Sequence, residues 1–179
     1  MKIKRLAGRS LFYIFKFLLR PISILNHRLF MFFYIKLLKF GGIKFKGKPR
    51  YIGYNVIFDD FNLIEFGDRV VISDDCHFLT HDYSITTVLI YKKYNVVNDL
   101  AINRGICVGN NVFIGKKSII MPNSIIGNNI IIGAGSIVRG YLEDGFIYSG
   151  NPAIKVKSLD SQYEKWLPLL ESDFIRIDK

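Results

Sequence analysis

The chain has 179 residues, half of them hydrophobic, and a formal net charge of +10. This length and composition can bury a core, which excludes a disordered protein. The charge does not indicate a nucleic-acid partner, because residues 1–58 hold 13 Lys and Arg and no acidic residue, whereas the remainder is mildly acidic. Two cysteines, with no CxxC motif and no Cys/His cluster, fit a reducing compartment and predict no structural metal.

Residues 1–46 are predicted to form a basic amphipathic helical segment. Five cations fall within about 40° of one line along the first helix: Lys2, Arg5, Arg9, Lys16 and Arg20. Apolar residues cover the rest of that helix, Pro21 breaks it, and a second apolar helix ends at Gly41. Neither helix has the ~20 uninterrupted apolar residues that span a bilayer, and no cleavage site follows that would indicate a signal peptide.

Two compatible interpretations fit this segment. A basic helix with an apolar face suits an anionic membrane surface, which predicts a peripheral contact through residues 1–40. The same apolar face also suits a cap over the open end of a repeat domain. We therefore expect a cytoplasmic protein, held on the inner face of the cell membrane under the first interpretation.

An aliphatic residue returns at every sixth position in the second half of the chain, at Val108, Ile114, Ile120, Ile126, Ile132 and Val138. This period fits neither an amphipathic helix nor an alternating strand. The motifs GNNV and GKKS recur 18 residues later as GNNI and GAGS, as expected for a solenoid with three short faces per turn and a rise of about 4.8 Å per turn. Residues 47–157 are therefore predicted to form an all-β solenoid, with tight corners at Asn110, Asn111, Asn128 and Asn129.

The repeat breaks between residues 82 and 100, where no corner glycine occurs. Long excursions inside compact repeats are uncommon and usually functional, so residues 82–100 are predicted to form a protruding loop. The alternative is a disordered insertion, although Tyr, Val and Ile are frequent here for a solvated linker. Residues 158–179 are predicted to form a short C-terminal helix and tail.

Two segments resemble a known family: VGNNVFIGKKSIIMPNSIIGNNIIIGAGSIV from Val108, and the exit SGNPAIKVK from Ser149. They are similar to the hexapeptide-repeat acyltransferases, in particular the maltose, galactoside and xenobiotic acetyltransferase group and its capsule and O-antigen O-acetyltransferase relatives. The resemblance covers residues 53–157. It implies a left-handed parallel β-helix, although parallel crossovers are generally right-handed. It also implies a homotrimer with active sites between subunits and acetyl-CoA as the donor.

In this family the reaction is carried by a histidine just before the protruding loop, which the segment FLTHDYS places at His81. Acetyl transfer from a thioester to a hydroxyl needs a base that works near neutral pH, and histidine suits that role. The other two histidines are interpreted as packed or surface residues, since His27 lies in the N-terminal helices and His77 within a strand.

Three polar residues are predicted to bind the acceptor. Asp60 and Asn62, in FDDFNL, resemble the segment in which relatives hold the sugar, and Asp82 adjoins the base. The alternative for each is a corner or surface role. The coil after this segment is shorter than in the sugar acetyltransferases.

The donor site is predicted from side-chain size. An extended pantetheine arm needs small residues beneath it, which favours Gly115 and Ala134. Phe113 stands where the family often has tryptophan and is expected to pack on the thioester end. Lys116 stands where a small residue is common, and it would either alter the donor geometry or reach a phosphate.

Cations near the end of the repeats are predicted to bind the phosphates of coenzyme A, namely Arg139, Lys155 and Lys157. The alternative is ordinary surface charge.

The residues and the resemblance together predict an acetyl-CoA-dependent O-acetyltransferase that needs no metal and acts on a saccharide. The acceptor would be a surface-glycan precursor, such as a capsule, O-antigen or lipid-linked unit, and His81 would be the general base. One alternative is an N-acetyltransferase of an amino sugar, and another is a non-catalytic, membrane-docked binding module. A γ-type carbonic anhydrase needs three zinc-binding histidines, whereas only His77 and His81 lie in the repeats.

Overall fold

The computed structural model describes residues 11–172 and 174–175. Its body is a solenoid whose chain visits three parallel sheets in rotation. The first sheet contains β1 (Lys44–Phe45), β4 (Ile64–Phe66), β9 (Ile106–Val108), β12 (Ile125–Ile126) and β15 (Tyr141–Leu142). The second contains β2 (Tyr51–Ile52), β5 (Val71–Ile72), β10 (Val112–Ile114), β13 (Ile130–Ile132) and β16 (Phe146–Ser149). The third contains β3 (Ile57–Phe58), β6 (His77–Phe78), β11 (Ile119–Ile120) and β14 (Ile137–Val138).

The ends of the solenoid carry the remaining elements. Residues 11–18 are helical (α1) and are followed by α2 (Arg20–Leu25) and α3 (His27–Gly41). After the last coil, β17 (Ile154–Ser158) turns back antiparallel on β16 and closes the second sheet. A helix, Leu159–Trp166, and a 3-10 turn, Leu167–Glu171, end the described chain.

The six-residue period marks the core, as predicted. Every residue of the aliphatic series is buried, with no more than 4% of its surface exposed, including Ile114, Ile120 and Ile132 at 0%. Toward the helices the same inward column becomes aromatic, where Phe58, Phe66 and Phe78 pack with ring centroids 5.2–6.1 Å apart. The solenoid is therefore filled by stacked side chains along its whole length.

A second inward column, two residues before the first, contains serines. Ser118 and Ser136 are fully buried, and their hydroxyls donate to carbonyl oxygens within their own corner, at 2.8 Å to Gly115 and 2.6 Å to Gly133. Ser118 also reaches the carbonyl of Gly133, one coil further, at 3.2 Å. These bonds satisfy corner carbonyls that the strand ladders leave free.

The two asparagines of each corner pair have different roles. Asn111 and Asn129 have positive φ angles of 54° and 53°, so they supply the left-handed backbone of the bend. Asn110 and Asn128 instead join neighbouring coils, because the Oδ1 of Asn128 accepts the Asn110 N–H at 2.9 Å. The ladder ends on Asp144, where hydrogen bonds from Asn128 hold the pKa of the carboxyl below its usual range.

Replacing Gly115 with alanine is expected to cost about 1–3 kcal/mol of unfolding free energy. The added Cβ would lie 2.5 Å from the backbone nitrogen of Ala134 on the next coil, so the stack must open to admit it. Gly140→Ala is the matched control, since Gly140 has a φ of +70° and open space around it. That control should lose only about 1 kcal/mol from backbone strain. Urea unfolding of both variants measures the difference, and equal losses would contradict the steric explanation.

The N-terminal helices close the open end of the solenoid. Phe12 of α1 and Phe30, Tyr34 and Leu38 of α3 are buried in one cluster with the first coils. The 3-10 turn Phe61–Leu63 provides the joint, because the Phe61 ring meets Phe12 edge-on with centroids 4.8 Å apart. The helices therefore cap the repeat domain.

Lys16 does not belong to an outward basic stripe, and that part of the sequence interpretation is wrong. Its ammonium turns toward the solenoid, donates to the carbonyl of Val56 at 3.3 Å and lies 5.2 Å from the ring centre of Tyr54. The spacing of the cations predicts that they align along one side of the helix. It does not predict whether that side faces the solenoid or the solvent. Lys2, Arg5 and Arg9 lie outside the described residues.

A Lys16→Met substitution is expected to change how stability depends on pH. Burial lowers the pKa of the Lys16 ammonium to about 8, so above that pH the folded chain has released a proton that the unfolded chain keeps until about pH 10. Wild-type stability therefore rises with pH through this window, on the order of 2 kcal/mol in all, and below it the cost of burying the charge is fully present. The methionine variant lacks this rise. Urea midpoints at about pH 7 and about pH 9.5 measure the difference, and parallel changes in the two proteins would refute the assignment.

Candidate active site

The protruding segment leaves the solenoid where the third sheet would turn into the first. Its two ends are joined by a short antiparallel ladder between His81–Asp82 (β7) and Ile102–Asn103 (β8). The segment contains a helix, Ser84–Tyr91, whose buried Thr86 hydroxyl accepts the Leu100 N–H at 2.8 Å and donates to the Leu100 carbonyl at 3.2 Å. These contacts tie the beginning of the excursion to its end, so it is an ordered element.

His81 lies at the base of this excursion with 38% of its side chain exposed. Its Nδ1 is 3.5 Å from the Oδ2 of Asp59 and 3.5 Å from the Oδ2 of Asp60, at the outer limit of a hydrogen bond. The Tyr83 ring stands edge-on to the imidazole, with centroids 5.6 Å apart. Two carboxylates on one side of the ring favour the tautomer with its hydrogen on Nδ1, which leaves the Nε2 lone pair available as a base.

The two carboxylates are held by Thr80, which lies in the short link between β6 and β7. Thr80 is fully buried, and its hydroxyl donates to the Oδ2 of Asp60 at 3.0 Å while accepting the Asp60 N–H at 3.0 Å. The backbone N–H of Thr80 also lies 3.4 Å from the Oδ2 of Asp59. Both aspartates are only 14–15% exposed, so their orientation is restricted by the fold.

His77, which the sequence indicated to be a packed or surface residue, packs in this cluster with one third of its side chain exposed. Its Nε2 lies 3.0 Å from the Oδ1 of Asp59, so one carboxylate stands between two imidazoles. The pairing of β3 with β6 sets this contact, because Ile57 is opposite His77 and Asp59 follows two residues later. Among the described residues, no three His, Cys, Asp or Glu side chains converge in an arrangement suited to a metal ion.

The residues predicted to bind the acceptor have different surroundings. Asp60 contacts His81 and Thr80, which places it beside the imidazole of His81. Asn62 is exposed in the 3-10 turn beneath the cap, next to Gly42 at the end of α3. Asp82 accepts the backbone N–H of Ser84 at 2.8 Å, and this contact holds the pKa of its carboxyl below its usual range.

The residues predicted to hold the donor lie mostly on another part of the solenoid. Phe113 is on β10 of the second sheet, 43% exposed, and pairs with Val71 and Ile131 on the adjacent coils. Gly115 and Ala134 stack on each other at the corner between the second and third sheets. Coil stacking therefore requires a glycine at position 115, independently of any ligand that binds on the outer surface.

The predicted phosphate-binding cations do not form one group. Arg139 follows β14 on the same corner as His81, close enough for its charge to contribute to the low pKa of Asp82. Lys155 and Lys157 are on β17 of the second sheet, where Lys155 pairs with Glu143 at 2.5 Å. Lys116 lies 3.6 Å from the carboxylate of Asp75 on the coil below, so its charge has a partner within the chain.

Three members of the cluster around His81 were not identified from the sequence: Asp59, Thr80 and His77. Asp59 immediately precedes a residue that was singled out, and His77 and Thr80 lie within four residues of His81. A 20-residue offset between β3 and β6, instead of the 18 found in later coils, brings them together. Aligning the sequences of the lower coils at a 20-residue offset would have placed Asp59 near His77 and His81.

Residues 108–140 match the family of bacterial transferase hexapeptides, described as six repeats. These 33 residues of the chain therefore form a hexapeptide-repeat segment. The chain is also similar to protein CapG of Staphylococcus aureus, with 42% identity over 105 residues. That match covers 59% of this chain and 58% of CapG, so the chain spans little more than half the length of this relative.

Solved structures of acetyltransferases share the fold of this chain. A galactoside acetyltransferase in complex with coenzyme A has a TM-score of 0.66 at 18% identity, with 99% of this chain and 90% of that chain covered. A hexapeptide-repeat acetyltransferase from Vibrio cholerae has a TM-score of 0.61 at 22% identity, with 87% and 93% covered. At these identities the likeness concerns the fold, and it confirms the predicted left-handed parallel β-helix.

Proposed function

We propose that this chain is an acetyl-CoA-dependent O-acetyltransferase that acts on a saccharide. One observation carries the proposal: on a hexapeptide-repeat solenoid, His81 stands at the base of the excursion with Nδ1 facing Asp59 and Asp60. This orientation leaves Nε2 to receive a proton. We assign the chemistry to residues 47–157, the capping role to residues 1–46 and a closing role to residues 158–179.

In the proposed reaction, Nε2 of His81 takes the proton of an acceptor hydroxyl as the oxygen attacks the thioester carbonyl carbon. The new C–O bond forms, the C–S bond breaks, and the imidazolium returns the proton to the departing thiolate. Asp59 and Asp60 stabilise the positive charge that the imidazole carries between these two proton transfers. No metal is needed at any step.

The donor assignment rests on chemistry and on the fold shared with coenzyme A-binding relatives. Phe113, Lys155 and Lys157 occupy the second sheet, whereas the base and Arg139 lie on a corner of the third. A cleft between two protomers would bring the second sheet of one copy toward the base of another. This separation supports the proposed homotrimer with acetyl-CoA bound between subunits.

The proposed acceptor is a surface-glycan precursor, such as a capsule or O-antigen unit. It would reach the base from the side of Asp60 and Asn62, which places it beside the N-terminal cap. A glycan assembled on a polyprenyl lipid is presented at the cytoplasmic face of the membrane, and the proposed location of the chain is that face. An amino sugar would fit the same base, so N-acetylation is the second candidate.

Incubation of the protein with acetyl-CoA and a panel of neutral and amino sugars tests the proposal. Thiol release together with an acetyl mass increase on a neutral sugar is the expected result. Mild alkaline treatment distinguishes the two candidates, because an ester is cleaved whereas an amide survives. If the protein binds sugars but none of them causes thiol release from acetyl-CoA, the result would instead favour a non-catalytic module.

A further inference from the structure

The α1 helix has an unusual orientation for a surface helix. Its half-buried lysine, Lys16, points into the protein, whereas large apolar side chains point outward. Phe17 and Leu18 are 67% and 60% exposed. Polar residues normally face water on such a helix, so the orientation indicates that the outer face is not made for water alone.

The outer side of α3 continues this apolar surface. Together the two helices form a groove of about 350 Å³, which we call the cap groove. Its principal lining residues are Leu11, Phe15, Leu18, Phe33 and Phe40, with Lys36 at its side. All five apolar residues are exposed, and Phe40 reaches 68%. Contiguous exposed apolar surface of this kind marks an interaction site on a folded protein.

Cations accompany the groove and define the chemistry of its partner. Lys36 lines it, and Lys39 and Arg28 are exposed on the same helix, α3. No acidic residue occurs before Asp59, so the cap helices themselves contribute only positive charge. An apolar surface with cationic neighbours matches the boundary between acyl chains and anionic headgroups in a bilayer.

We propose that the cap groove docks on the surface of an anionic lipid bilayer, with Phe15, Leu18 and Phe40 entering the headgroup boundary. The cap groove would be the surface through which the chain reaches the membrane in the proposed function. The inference rests on the proposed function in that respect. Within the part of the chain that the structure describes, no helix is long and apolar enough to cross a bilayer.

Docking would also place the acceptor side of the site near the membrane. The 3-10 turn after Asp60 packs directly on the cap, through the contact of Phe61 with Phe12. A lipid-linked glycan held at the bilayer surface would therefore meet the carboxylates before the rest of the solenoid.

Vesicle cosedimentation of the full chain tests the docking surface. Phosphatidylcholine vesicles that contain phosphatidylglycerol are expected to retain the protein, and pure phosphatidylcholine vesicles to retain much less. The triple variant Phe15→Gln, Leu18→Gln and Phe40→Gln should bind at least about tenfold more weakly. A matched triple, Ile90→Gln, Val97→Gln and Leu170→Gln, replaces apolar residues of similar or greater exposure elsewhere and should bind like the wild type.

Three outcomes would overturn the docking proposal. One is the absence of wild-type binding to phosphatidylglycerol vesicles, and another is equal loss of binding in both triple variants. The third is a changed oligomeric state of the cap-groove variant by light scattering, since this would make the groove a subunit interface. Acetyl transfer to a soluble sugar by the cap-groove variant is measured in parallel. If the cap-groove variant retains acetyl transfer, docking and catalysis are separate properties. A wild type that binds vesicles but transfers no acetyl group would contradict only the proposed reaction.

Discussion

A His81→Asn variant is expected to release thiol from acetyl-CoA about 10³-fold more slowly than the wild type in the presence of an accepted sugar. The asparagine amide can still donate toward Asp59 and Asp60 from the position that Nδ1 occupied. It offers no lone pair at the place of Nε2, so the acceptor hydroxyl loses its base. The loss should appear in kcat, with KM for acetyl-CoA almost unchanged.

His27→Asn is the control for this substitution. The His27 imidazole lies against the Tyr51 ring beneath the cap, with centroids 4.6 Å apart, and is far in the sequence from the excursion. It should retain wild-type turnover. A His81→Asn variant with turnover within about threefold of the wild type would remove His81 from the reaction, provided that both variants unfold at similar temperatures.

The core of this protein could be predicted from the sequence because the six-residue spacing of its inward residues depends only on neighbouring residues in the chain. Each strand from β9 to β15 is two or three residues long, so the inward position repeats at six regardless of what lies outside. The burial of Ile114, Ile120 and Ile132 follows directly from this period. The left-handed sense of the coil does not follow from it, and only the resemblance to a known family supplied that feature.

The surroundings of His81 depend instead on contacts between coils. Asp59 reaches the imidazole from the coil below, and this contact depends on an offset that the longer lower coil sets. The direction of Lys16 likewise depends on how the cap sits on the solenoid. Helical periodicity places a residue on a line, but tertiary packing decides whether that line faces the core or the solvent.

Replacing Asp59 with asparagine is expected to lower kcat by about 10²-fold, because this carboxylate acts on the base through position and charge. Its Oδ2 faces Nδ1 of His81 and its Oδ1 faces Nε2 of His77, so it is a positioning residue between two imidazoles. An amide has one oxygen in place of two and no negative charge. It therefore cannot serve both rings or stabilise the imidazolium formed during transfer.

Nitrogen NMR of the imidazoles distinguishes positioning from a merely structural role. In the wild type the neutral His81 ring should carry its hydrogen on Nδ1, and Asp59→Asn should move part of the population to the other tautomer. His77→Gln, which removes only the second imidazole, should lower kcat less and leave the His81 tautomer in place. Only three histidines occur in the chain, so single substitutions assign their signals.

Asp60→Asn provides the contrasting variant, since Asp60 was predicted to bind the acceptor. A role toward the sugar raises KM for the acceptor, whereas a role toward the base lowers kcat, and the two effects can be measured separately. We expect Asp59→Asn to act on kcat alone. An unchanged His81 tautomer in Asp59→Asn, together with a loss confined to thermal stability, would show that Asp59 supports the fold and does not position the base.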